Sequence, residues 1–117
     1  MKTLQKKLID DVSLTEASVA SQVMDIRHIY CFSCQYVVAG SAFGGTLTFQ
    51  GSNDIVDLEN SQTPTNWSTI GSAVTISAAA TTMINFDGQG FAYFRAIFAT
   101  GGTPTGTLSV VFNGKGA

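Results

Sequence analysis

Three places in this chain have residue types and spacing that could do chemistry. They are the pair Cys31-Phe-Ser-Cys34, the lone His28 just upstream, and the oxygen-rich stretch holding Asn53, Asp54, Asp57, Glu59 and Asn60. A CxxC pair serves as half a zinc site or as a redox couple. Zinc needs further ligands, and the chain offers no other cysteine and a single histidine. The pair also falls in a stretch that reads as a strand, where positions i and i+3 point to opposite faces. A disulfide within the strand is therefore disfavoured, and two buried, reduced, inert thiols are expected.

Nucleophilic catalysis needs a base positioned beside the nucleophile. His28 is the only imidazole available, and on a strand it faces away from Cys31. No nucleophile elbow, phosphate loop or metalloprotease helix is present. Carboxylates are too few to favour a paired-carboxylate hydrolase, so no enzyme activity and no cofactor are expected, and His28 reads as a strand-edge or interface residue. Oxygen clusters such as that of residues 53–60 suit calcium, yet the spacing fits no EF-hand. Asn-Asp pairs also start turns by bonding their own backbone, and turn chemistry is the expectation. Asn66-Trp-Ser68 matches a glycosylation sequon; with no secretion signal at the start it reads as accidental.

The elements that would position these residues are strands. From His28 to Val38 the even positions Tyr30, Phe32, Cys34, Tyr36 and Val38 make one apolar face, the mark of a strand on a core. Residues 39–45 form a glycine-rich turn, and Thr46–Gln50 alternates Leu47 and Phe49 with threonines. An irregular connection spans residues 53–65. Further strands are expected at Trp67–Ile70, Val74–Ser77, Thr82–Phe86, Phe91–Phe98 and Leu108–Phe112, with a turn at Asp87-Gly-Gln-Gly90. Ser21–Asp25 could add a short strand, and only Leu14–Met24 could hold a helical turn or two. The expected fold is all-β: an antiparallel β-sandwich, jelly-roll-like, of about seven to nine short strands.

At 117 residues the chain suits one domain. Residues 1–18 are expected to be an amino-terminal arm or the first strand, and residues 19–117 the sandwich. Six of the charges, Lys2, Lys6, Lys7, Asp10, Asp11 and Glu16, lie at the amino-terminal end, whereas only Asp87, Arg95 and Lys115 follow Glu59. Charged residues make up 12% of the chain, about half of the usual share of roughly 25%. Either neighbours cover part of the surface, or Ser, Thr, Asn and Gly make it polar without charge. A net charge of −2 with no basic cluster beyond Lys6-Lys7 argues against nucleic acid. No apolar run reaches membrane-spanning length.

One strand breaks the usual alternation. Phe91–Phe98 carries Phe94, Ala96 and Phe98 on one face, but also Phe91, Tyr93 and Ile97 around Arg95 on the other. A second apolar face must be covered by the same domain or by another chain, since burying such side chains contributes roughly 1.5–3 kcal/mol each. Trp67, Phe91, Tyr93, Arg95 and Ile97 are accordingly the candidate interface residues.

The run Gly45-Thr-Leu-Thr-Phe-Gln-Gly-Ser-Asn-Asp54, then Asn66-Trp-Ser-Thr-Ile70, then Phe91-Ala-Tyr-Phe-Arg95 resembles small β-sandwich virion proteins of tailed bacteriophages. Thr105-Gly-Thr-Leu108 and Asn113-Gly-Lys-Gly116 stand where their closing hairpin would be. The resemblance covers residues 45–116. It implies a structural subunit of a capsid-decoration, fibre or tail-accessory type, synthesised in the host cytoplasm and resident on the virion. Its partners would be itself, as a homo-oligomer with a trimer suggested by capsid symmetry, and other virion proteins such as a major capsid protein. The same order of motifs is also similar to discoidin-type jelly rolls, which bind sugars or lipids through loops at one end. This chain is shorter, and its cysteines do not bracket the domain. That alternative implies a glycan-binding host-adhesion module using Trp67 with a loop of Asn53, Asp54, Asp57 and Glu59, with or without calcium.

Overall fold

The structure, a computed structural model, describes residues 2–87 and 90–116. Among them the strands run β1 (Lys2–Ser13), β2 (Ser18–Ala20), β3 (Met24–Asp25), β4 (Ile29–Ala39) and β5 (Thr46–Ser52). A 3-10 turn at Leu58–Asn60 follows, then β6 (Ser68–Thr69), β7 (Val74–Thr75), β8 (Ala80–Asp87), β9 (Tyr93–Ala99) and β10 (Thr107–Gly116). One sheet has the order β1-β10-β4-β8. The other runs β2-β9-β5-β6, with β3 also on β9 and β7 also on β5. If β2 with β3 and β6 with β7 are taken as two broken strands, eight antiparallel strands divide four and four. That is the jelly-roll order, which brings the first and last strands side by side.

Period-two alternation explains which side chains meet between the sheets. Phe32, Cys34 and Val38 of β4 are buried, as are Leu47 and Phe49 of β5, Phe94, Ala96 and Phe98 of β9, and Leu108, Val110 and Phe112 of β10. Their rings interlock: Phe32 lies 5.0 Å from Phe86 and 5.1 Å from Phe112, centroid to centroid, and 4.9 Å from Phe94 in an edge-on arrangement. Such pairs contribute about 0.5–1.5 kcal/mol each beyond the area they bury. The Tyr30 side chain and the turn residues Gly88 and Gln89 lie outside the described residues.

Of the two readings open for the amino-terminal segment, an arm or a first strand, the described residues take the second, and other elements differ from the expectation for local reasons. Residues 2–13 form a strand along β10, with register shifts between Lys7 and Ile9 and between Ile9 and Val12. Asp11 has a positive φ of 52°. These irregularities let the adjacent Leu8 and Ile9 both be buried, which strict alternation forbids. The stretch 14–24 holds no helical turn; Ser21 separates β2 from β3, its amide donating to Ala96 O at 2.8 Å and its Oγ accepting from Ala96 N at 2.9 Å. His28 sits exposed in the turn before β4 and not on the strand itself, because Ile29 N donates back to Ile26 O at 3.0 Å and closes that turn. Where β4 leaves the sheet, Gly40 has φ +125° and a Cβ there would lie 2.6 Å from Gly106 Cα. Two glycines are thus required for two backbones to cross at that corner.

Candidate functional site

The outer face of the second sheet holds the residues singled out from β9. Gln50 of β5 pairs with Arg95 of β9 on one side and Thr69 of β6 on the other. Directly opposed residues share a face, so the Arg95 and Gln50 side chains meet, and Arg95 Nε donates to Gln50 Oε1 at 2.8 Å. The Trp67 ring lies over the guanidinium, with Cζ 4.3 Å from its centroid. Trp67 Nε1 in turn donates to Pro64 O at 3.1 Å, which fixes the ring's tilt. Partial burial pulls the Arg95 guanidinium below its ordinary value, and no carboxylate pairs with it among the described residues.

The five expected interface residues therefore do not form one surface. Trp67 and Arg95 come together, and half-buried Ile97 lies on the same face of β9. Tyr93 is only 1% exposed. Its hydroxyl donates to Val56 O at 3.2 Å, and the Arg27 guanidinium sits 5.5 Å from its ring centroid. The chain's own residues cover it, so it offers no contact to a partner. Phe91 is half-buried, with its ring 6.0 Å from that of Phe32 and 6.2 Å from that of Phe94, and it also lines an open cleft away from Trp67 and Arg95. It precedes the strand, and Ala92 is a bend whose amide donates to Ser52 O and to Asn53 Oδ1, so strand parity does not extend back to Phe91.

The oxygen-rich loop is organised by its own side chains. Asp54 Oδ2 accepts from the amides of Thr65 at 2.8 Å and Asn66 at 2.9 Å, and Oδ1 accepts from Asn66 Nδ2 at 3.1 Å. These bonds hold the Asp54 carboxyl below the usual carboxylate value. Asp57 caps the 3-10 turn, accepting from Glu59 N and Asn60 Nδ2. Asn53 accepts from Ala92 N at 2.8 Å. Glu59 is exposed at the turn. Asn53, Asp54, Asp57 and Glu59 thus act at separate points, and no group of three or more His, Cys, Asp or Glu ligands gathers among the described residues. Beside this loop lies an open cleft of about 390 Å³, floored by Phe91 and Ile70 and rimmed by Ser52, Asn53, Asn66 and Ser68. Gly51 makes room at its base, since a Cβ there would stand 2.8 Å from the Phe91 ring.

The two cysteines lie on opposite faces of β4. Cys34 is in the core, where burial pushes its thiol up to about 12. Cys31 is half-buried on the outer face, and both are free.

Pattern reading passed over the outer face of the first sheet. There Val111, Gln35 and Met83 fall in one row across β10, β4 and β8, and Asn113, Ser33 and Asn85 in the next. Val37 is 37% exposed and Met83 56%. Charged side chains beside this face stand toward its margins: Lys6 and Lys7 with Asp10 along β1, and Lys115 near the end of β10. The signal was present as the odd positions of β4 and β10, opposite the faces that pack on the core.

No protein-family model matches this chain, and comparison with curated proteins finds no match.

Proposed function

We propose that this chain is a non-enzymatic structural subunit of a virus particle of the tailed-bacteriophage kind, a capsid-decorating or fibre component that acts by packing against copies of itself and against other virion proteins. The observation that carries this reading is the broad outer face of the β1-β10-β4-β8 sheet. Ser33, Gln35, Asn85 and Asn113 surround Val37, Val111 and Met83 there, with charge kept toward the margins. Depletion of charge at the centre with apolar groups among neutral polar ones is the pattern of a protein interface. Jelly rolls are used in capsids, and also in lectins, so the fold is compatible with the reading and does not decide it.

A second reading is favoured by the cleft beside Asn53 and Asn66. An apolar floor of Phe91 and Ile70 rimmed by amides and hydroxyls suits a sugar. Against it, Asp54 is already bonded across the loop to Thr65 and Asn66, and Asn53 to the Ala92 amide.

Light scattering of the purified protein over a range of concentrations, with calcium and with a chelator, separates the two. A defined oligomer unaffected by chelation is the expected result. A monomer throughout that fails to bind bare capsids, yet is retained by a glycan array and loses retention on Trp67→Ala, would replace the assembly reading with the sugar-binding one.

A further inference from the structure

The four sheet edges are not alike. A free edge carries unpaired amides and carbonyls that recruit another strand, and proteins blunt such edges with short strands, charges or bulges. The β2/β3 edge and the β6/β7 edge are built from strands of two or three residues. The β1 edge is long, but it bears Lys6, Lys7, Asp10 and Asp11 and two register shifts. The fourth edge, β8, is the least protected, its one charge being Asp87 at the last position. It runs eight residues, pairs with β4 without a register shift, and has no charged residue from Ala80 to Phe86. Among the described residues its other side has no backbone partner. Thr81, Thr82, Ile84 and Phe86 are residue types that favour strands.

The sandwich is also left open along this edge. A cleft of about 370 Å³ runs between β8 and the 70–72 turn, lined by Phe49, Ile70, Ile84 and Phe86. At the opposite edge the described part of β1 packs Leu4, Leu8 and Ile9 onto the core.

We infer that β8 is the site where a second copy of this chain adds its own β8, antiparallel, to make one continuous eight-stranded sheet. The inference rests on the assembly reading above and gives it a defined contact. An isologous contact requires a self-complementary strand, and antiparallel pairing must place outer-face residues opposite outer-face residues. Centring the two-fold axis on Met83 does this over the whole uncharged segment. Met83 then faces Met83 of the second copy, Thr81 faces Asn85, Thr82 faces Ile84 and Ala80 faces Phe86. The most exposed methionine of the outer face is covered in the process, and the open cleft gains a neighbouring strand. A two-fold contact specifies pairs, in place of the threefold order that capsid symmetry suggests.

Directly opposed residues of antiparallel strands have Cα atoms about 4.5–5.5 Å apart, within disulfide reach. In a Cys31→Ser, Cys34→Ser background, Met83→Cys is expected to give a covalent dimer on mild oxidation, whereas Val37→Cys, on the exposed face one strand further in, gives none. Thr81→Lys with Asn85→Lys sets like charges opposite each other twice and is expected to dissociate the pair at low salt. Thr81→Glu with Asn85→Lys sets opposite charges there and is expected to preserve it. Circular dichroism checks that each variant is folded. A persisting oligomer that crosslinks through Val37→Cys but not Met83→Cys, or ignores both charge designs, overturns the β8 contact and leaves the assembly reading standing. A wild-type protein that is monomeric throughout overturns the β8 contact as well, and binding of that monomer to bare capsids then decides the assembly reading on its own.

Discussion

Arg95 lies under the face of Trp67, 4.3 Å from the ring centroid, while its Nε is held by Gln50. The pair ties the short β6 region to the long β9, two elements with no direct ladder between them. A cation over an indole contributes about 0.5–1 kcal/mol when exposed and about 2 when desolvated. A double-mutant cycle with Arg95→Ala and Trp67→Ala, read by urea unfolding, is expected to return a coupling in that range. Additive losses would show that the stack contributes nothing to folding.

Tyr93 should behave as a core residue with one polar tether. Tyr93→Phe removes only the bond to Val56 O and is expected to cost about 0.5–1.5 kcal/mol. Tyr93→Ala leaves a cavity beneath the 53–65 loop and is expected to cost about 3–5 kcal/mol, as for other buried aromatics. Equal losses from both would mean that the ring is not packed as described.

The Asp54 carboxylate fastens residues eleven and twelve positions further on. Its folded pKa lies below the ordinary 3.8 because Asn66 and Thr65 donate to the charged form. The folded state therefore binds fewer protons at this group than the unfolded state. Its contribution to stability is complete above the ordinary value and drains away as pH falls through the lower, folded one. Amide exchange at Thr65 and Asn66 should be slow at neutral pH and should speed up in Asp54→Ala, with the β4 and β10 amides unchanged. Asp54→Asn should flatten the acid limb of the stability curve. Unchanged exchange at both amides in Asp54→Ala would contradict the anchoring role.

Cys34 and Cys31 should separate cleanly in reactivity. The thiolate is the nucleophile, and burial pushes the Cys34 thiol up to about 12. Native protein treated with iodoacetamide at neutral pH is expected to be modified at Cys31 and to take a second label at Cys34 only in denaturant. Peptide mass mapping reads this directly; early labelling of Cys34 would show that the core opens readily.

Much of the fold was legible because most core strands follow simple alternation. Phe32, Cys34 and Val38, or Leu47 and Phe49, announce their face from spacing alone, and the glycine-rich turns mark where chains cross. The irregular parts were not legible, each for an identifiable cause. The first strand packs Leu8 and Ile9 side by side through a bulge, so its residues show no period by which to tell a strand from an arm. Phe91 and Tyr93 share parity on paper, but the bend at Ala92 turns one toward the core, and a loop distant in sequence covers the other. The Asp54 anchor joins a side chain to amides beyond an irregular connection, and no local pattern encodes such a pairing. Of the site, the Trp67–Arg95 neighbourhood was anticipated as residues but not as a stack. The uncharged edge at β8 could not be recognised until strand order showed which strand lies outermost.

The pairing of β1 with β10 also sets a schedule for folding. Lys2 lies opposite Gly116, so β1 must wait for a partner more than a hundred positions later. Closing such a loop is slow because the entropy is lost before the contacts form. Within that sheet β4 and β8 lie nearer in sequence than any other paired strands, and β10 lies between β4 and β1. Throughout that interval β1 is an unpaired strand beside other newly made chains. Lys6, Lys7, Asp10 and Asp11, which do little for the finished core, discourage a wrong partner from pairing there first. The uneven distribution of charge along this chain thus falls on the strand whose partner lies farthest away in sequence.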